Sequence, residues 1–287
     1  MMVKNNTNPI RIIPFLDIKN GLLIKGINLE GLRVLGRAKD FSNYYYNNGA
    51  DEICYTDNVA TLYGTNNLSK FITETAKNVF IPLSIGGGIR KTDDMKKMFS
   101  AGADKICINS SIIEKPSLLK EAAKIFGSAN IVIMIQSIKI DNKYFVSKAN
   151  GRDIVNINPV KWAKEVEELG AGEIILTSVN NEGLKKGFDI NITNKVSNSV
   201  NIPVIAHGGA GSYKDIFDVI YKTKISGVGL ASILHYDALN YFPKLNPKVG
   251  NTTFLKNVTK SKKKINVIGE IKKYLKERNI NVRYEKK

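Results

Sequence analysis

The sequence predicts an α/β chain folded as a single (β/α)8 barrel, and three observations predict it. Short, continuously apolar runs alternate with amphipathic helical patterns, the arrangement of parallel strands covered by helices. There are eight such runs, the number that closes a barrel in about 250 residues. The pattern also repeats: GADEICYTD (49–57) matches GAGEIILTS (170–178), and IPLSIGGGI (81–89) matches IPVIAHGGA (202–210), at one common offset. Two half-barrels of four units each account for the repeat, which makes this a TIM barrel with an internal two-fold.

In order, the strand candidates are RIIPFLD (11–17), EICYTD (52–57), IPLSIG (81–86) and DKICIN (104–109), then NIVIMIQ (130–136), EIILTS (173–178), IPVIAH (202–207) and SGVGLA (226–231). Between them lie segments such as NPVKWAKEVEELG, with Val160, Ala163, Val166 and Leu169 at helical spacing. The whole of 1–287 reads as one domain, with a lysine-rich insertion at about 237–264 before the terminal helix. That insertion follows a barrel strand, so it belongs to the active face, where it covers a site, meets a partner or is a plain surface loop.

Composition narrows the function classes. The start, MMVKNNTNPI, holds no long apolar stretch, and no later segment approaches the roughly 18 apolar residues of a membrane helix. A cytoplasmic location and no membrane partner are expected. Cys54 and Cys107 both fall inside strands and read as small buried hydrophobes. With two histidines and no Cys/His cluster, no metal site is expected, and no cofactor. The net charge of +17 raises nucleic acid as a partner, but the lysines are dispersed and no basic run is interleaved with aromatics. A solvated lysine-rich surface accounts for the charge, and such a surface also attracts phosphorylated substrates.

Chemistry in such a barrel sits at the carboxyl ends of the strands. Gly86, Gly87 and Gly88 follow one strand there, and Gly208, Gly209 and Gly211 follow its repeat partner. Glycines let backbone N–H groups approach a phosphate closely. One unit later each half offers small residues at the opening of a helix, Asn109–Ser110–Ser111 and Ala231–Ser232. Two phosphates on opposite sides of the barrel mouth are implied; the plainer alternative is that the glycines only make tight turns. Asp17 ends the first strand, with Lys19 just after it, placing an acid/base group between the two corners; capping a loop is its bland alternative. Asp57 also ends a strand and reads equally as binding or structural.

The blocks RIIPFLDIKNGLLIKGIN, GADEI, IPLSIGGGIR, AGADKICINSS, ELGAGEIILTS, PVIAHGGAG and LASILHY, with IKKYLKERNINVR at the end, resemble the cyclase subunit of imidazole glycerol phosphate synthase. The resemblance implies a barrel that takes ammonia from a partner glutaminase in a heterodimer. It implies a small bisphosphorylated substrate, a phosphoribulosyl-formimino ribonucleotide, converted to imidazole glycerol phosphate and an aminoimidazole carboxamide ribotide in histidine biosynthesis. By motif, a catalytic aspartate falls on Asp17 and the adjacent lysine on Lys19. The phosphate corners fall on Gly87, Gly88, Asn109 and Ser110, and on Gly183, Gly208, Gly209, Ala231 and Ser232. The resemblance further implies an ammonia gate of Arg11, Glu52, Lys105 and Glu173 at the amino-terminal end; spacing alone reads these as a structural salt-bridge ring.

This chain departs from the family pattern in several places. The second catalytic aspartate is Gln136, which hydrogen-bonds but is no general base. An acidic turn reads Asn180–Asn181–Glu182–Gly183, and a small residue before the second glycine pair is His207, either an acid/base or substrate contact or a bulky neutral plug. DIVNIN replaces a threonine–glycine loop near residue 154. The family's own cyclisation is one reading. An ammonia-conducting subunit serving a sugar amidotransferase in surface-glycan synthesis is a second, and a phosphate-binding scaffold a third.

Overall fold

The computed structural model describes residues 8–57, 68–242 and 266–284. All eight apolar runs are strands: β1 (Arg11–Lys19), β4 (Ile53–Asp57), β5 (Leu83–Gly86), β6 (Lys105–Ile108), β7 (Ile131–Ile140), β10 (Glu173–Ser178), β11 (Val204–His207) and β12 (Gly227–Leu230). Each pairs in parallel with the next in this order, β7 pairs with β10, and β12 pairs back to β1, which closes the barrel. Helices lie between the strands, among them α3 (Thr92–Ala101), α4 (Ser110–Glu114), α6 (Pro159–Glu168), α8 (Tyr213–Lys222) and α9 (Ser232–Ala238). The terminal helix is α10 (Val267–Lys276). In α6 the buried residues include Ala163 and Val166 of the apolar stripe, and the Asn158 side chain accepts from the N–H groups of Val160 and Lys161, satisfying the helix start.

Two antiparallel extensions were not foreseen. β1 continues into β2 (Leu22–Ile27) and β3 (Glu30–Arg37), and β7 continues into β8 (Lys143–Lys148) and β9 (Asp153–Val155). The two-residue turns Asn20–Gly21 and Asp141–Asn142 have positive φ at both positions, the geometry that matches hairpin twist. The segment 153–155 is thus a hairpin strand rather than a loop.

Strand side chains alternate between two cores. Outward residues pack beneath the helices in one large cluster, whereas Ile13, Phe15, Cys54, Cys107, Val132, Ile175 and Ile205 fill the barrel axis. Both cysteines are free and buried there, as expected for small apolar residues. The internal repeat persists in backbone detail. Asn109 and Ala231, preceding α4 and α9, share nearly the same dihedrals, −133/−89° and −121/−87°. A Cβ on Gly87 would lie 2.4 Å from the Asp57 carbonyl oxygen, and one on Gly208 would lie 2.8 Å from that of Ser178. Both glycines also have positive φ, so neither position tolerates a side chain.

Of the expected insertion, Asp237 and Ala238 belong to α9, and 243–264 lies outside the described residues. Among the described residues no helix is long and apolar enough to cross a membrane.

Candidate functional site

At the amino-terminal mouth, Arg11, Glu52, Lys105 and Glu173 form one closed ring of alternating charge. Arg11 Nη1 donates to Glu52 Oε2 at 2.9 Å, and Arg11 Nη2 donates to Glu173. Lys105 Nζ donates to Glu52 at 3.0 Å and to Glu173 at 2.9 Å. Ser84 Oγ satisfies the other Glu52 oxygen at 2.5 Å. Burial alone would raise the Glu173 carboxyl, but the Arg11 guanidinium and the Lys105 ammonium hold it below its ordinary 4.5. Glu173 therefore binds fewer protons in the folded state than in the unfolded chain. Its contribution to stability is complete above about pH 4.5 and is lost as pH falls through the lowered native value. Denaturant titrations across pH 3–7 are expected to show that loss, with a flatter acid limb in Glu173→Gln.

At the opposite mouth, the last inward side chains of the strands form a polar layer. Strand register places Asp17 beside Thr56, and Gln136, Thr177 and His207 on three adjacent strands. Thr56 Oγ1 donates to Asp17 Oδ1 at 2.6 Å, fixing the carboxyl's orientation. Gln136 Oε1 accepts from the Gly151 N–H at 3.1 Å, so the amide ties β7 to the loop between β8 and β9.

Over this layer lies a cavity of about 340 Å³, whose walls include Asp17, Asp57, Gly87, Gly88, Asn109, Ser110 and Gln136. The first glycine corner, the strand-end acid and the substituted position thus share one space. Asn109 Oδ1 is buried with no hydrogen-bond partner, an acceptor with capacity to spare at that corner.

The second corner differs. Gly183, Gly208, Gly209, Ala231 and Ser232 do converge, around a smaller pocket that Glu182, Lys185 and His207 also line. Glu182 is buried in an ion pair with Lys25, its other oxygen accepts from the Leu29 N–H at 3.1 Å, and its carbonyl accepts from the Asn28 N–H at 2.9 Å. The β2–β3 hairpin is thereby clamped onto the 180–183 turn. Lys185, which also lines this corner, sits 4.7 Å from the Tyr236 ring. His207 stacks on Phe15 at 4.2 Å and shares a hydrogen bond of 3.1 Å with Thr177 Oγ1. Burial, with Lys25 and His235 nearby, pushes its imidazole down to about 3, so it is uncharged at neutral pH.

Lys19 reaches neither cavity; it is exposed at the end of β1, opposite Leu22. Thr56, Thr177, Lys25 and Lys185 escaped the sequence reading. The two threonines stand at matching positions of the repeat, one residue from each strand's end, and that signal would have found them. Among the described residues no group of three or more His, Cys, Asp or Glu side chains is placed to hold a metal.

The model of a family described as "Histidine biosynthesis protein" matches residues 11–240. The imidazole glycerol phosphate synthase subunit HisF of Legionella pneumophila is 46% identical over 207 residues, which is 72% of this chain and 98% of that protein. The proteins of the same name from Bacillus cereus (strain Q1) and Streptococcus mutans are 44% and 43% identical over 227 residues, 79% of this chain and 90% of theirs. The barrel, its two-fold repeat and these likenesses over most of its length make the chain a member of the histidine biosynthesis protein family.

Proposed function

We propose that this chain is the cyclase subunit of an imidazole glycerol phosphate synthase-type glutamine amidotransferase, receiving ammonia from a glutaminase partner of the HisH kind. The observation that carries the reading is the axial arrangement. A charged ring closes one mouth, an apolar interior follows, and the cavity holding Asp17 and the first glycine corner lies at the other. In this reading the ring is the gate, and parting one of its ion pairs admits a small neutral molecule. Asp17 takes the proton released when ammonia adds to the substrate and returns one as the ring forms, while Thr56 keeps its carboxyl aimed. Backbone at Gly87 and Gly88, with Asn109 and Ser110, cradles a phosphate.

The relatives and the retained Asp17 weigh for this reaction over delivery of ammonia to a sugar amidotransferase, and over a scaffold without chemistry. The test is turnover of the phosphoribulosyl-formimino ribonucleotide by the purified chain in ammonium salt, which removes the need for a partner. Imidazole glycerol phosphate formed at a rate within about a hundredfold of a typical ~10 s⁻¹ is the expected result. Substrate that binds and stays intact would overturn it.

A further inference from the structure

The cavity over Asp17 has a charge pattern that any anionic ligand must meet. Among the described residues four carboxylates border it, Asp17, Asp57, Glu114 and Asp153, against two cations, Arg90 and Lys148. Both cations belong to the side of the first glycine corner. Arg90 follows Gly88 by two residues, and Lys148, the last residue of β8, donates from Nζ to Glu114 Oε1 at 2.7 Å, at the end of the α4 helix that Ser110 begins. Two tethers deliver Lys148 to this place. The next residue, Ala149, donates its N–H to Ser110 Oγ at 3.3 Å, and Gly151 is held by Gln136. Ser110 accepts in that bond, so its own O–H is a donor for a ligand.

Glu114 is the dispensable partner of the ion pair. Its side chain is 62% exposed, so water solvates the carboxylate nearly as well as the ammonium does, and a pair of this kind holds little energy. Lys148 is 26% exposed and carries three donors on a flexible four-carbon stem, one of them given to Glu114. A phosphate dianion beside Ser110 is the stronger partner, with three acceptor oxygens and a larger charge.

We propose that Lys148 is a specificity-determining residue: its ammonium exchanges Glu114 for a phosphate seated at Gly87, Gly88, Asn109 and Ser110, so that the β8–β9 hairpin takes part in recognising that phosphate. This rests on the reading of the first corner as a phosphate site and adds a movable cation to it. The ligand class is a phosphate monoester in its dianionic form; a carboxylate or a monoanionic diester in that corner gains less from the exchange.

The test is calorimetric titration of the full chain, without ammonia, with the two-phosphate ribonucleotide, whose phosphates span both corners. Lys148→Met is expected to weaken binding by about tenfold or more, the loss of one charge-assisted hydrogen bond. Glu114→Gln is expected to strengthen it by about two- to fivefold, because Lys148 no longer has a competing partner. Both substitutions break the same ion pair, so a pair that merely props the hairpin shifts binding the same way in both. The double variant separates exchange from a plain change of local charge: in the Lys148→Met background, Glu114→Gln should gain nothing. A loss below about threefold in Lys148→Met, weaker binding in Glu114→Gln, or an undiminished gain in the double variant overturns the proposal. Should Lys148→Met fail to fold, Glu114→Gln at its exposed site decides alone, and no gain there overturns the exchange. If the unaltered protein binds no ribonucleotide, the phosphate-corner reading falls and the exchange with it. A ligand that binds equally to all these proteins leaves that reading standing and overturns the exchange alone.

Discussion

Asp17→Asn is expected to lower ammonium-driven turnover by about 10²–10⁴-fold, the usual consequence of removing a positioned acid or base. The substitution keeps size and shape, and the Thr56 hydroxyl that donates to Oδ1 at 2.6 Å finds an amide oxygen in the same place. The cavity walls and the thermal transition should therefore stay as they are, and KM should move little beside kcat. Steady-state kinetics separates the two terms. A loss of less than about tenfold would remove Asp17 from the chemistry, leaving it as a residue that only shapes the layer.

Gln136→Asp should act in the opposite direction. It puts a second carboxylate in the layer that holds Asp17, and turnover is expected to rise by about 10²-fold. There is an opposing cost. Gln136 Oε1 accepts from the Gly151 N–H, and the shorter aspartate withdraws that acceptor from the loop between β8 and β9, at about 1 kcal/mol of stability. Gln136→Glu keeps the reach but stays tethered to Gly151, so it should gain less activity and lose less stability than the aspartate. Equal rates for all three proteins would mean that the β7 position takes no part in proton transfer.

The parts of this molecule that were readable in sequence are those fixed by local pattern or by the repeat. Buried parallel strands write themselves as continuous apolar runs, and all eight runs became barrel strands. The two hairpins escaped because their strands extend runs already assigned. IKNGLLIKGI reads as more of the first strand and its loop, although Asn20–Gly21 is the turn signal that should have divided it. The clamp of the β2–β3 hairpin onto the second corner was illegible for another reason. Lys25 and Glu182 are 157 positions apart, and nothing in either neighbourhood announces the other. Lys19 stands two residues after Asp17 on the same strand, but it is exposed at the strand's end and is not among the cavity's lining residues. His207 was visible as an anomaly in sequence, but its stacking on Phe15 was not.

Between the two mouths, Ile13, Val132, Ile175 and Ile205 offer no hydrogen-bond partner to a molecule in transit. A cation entering that layer forfeits its hydration without recompense, whereas a small uncharged amine gives up far less. If ammonia crosses this barrel as proposed, it is sorted by its protonation state, so that the free base passes and its conjugate acid stays behind. The interior is then a chemical filter rather than a simple bore. When the supply is bulk ammonium, flux follows the free-base fraction and climbs with pH until that fraction saturates, whatever the titration of the groups beyond it.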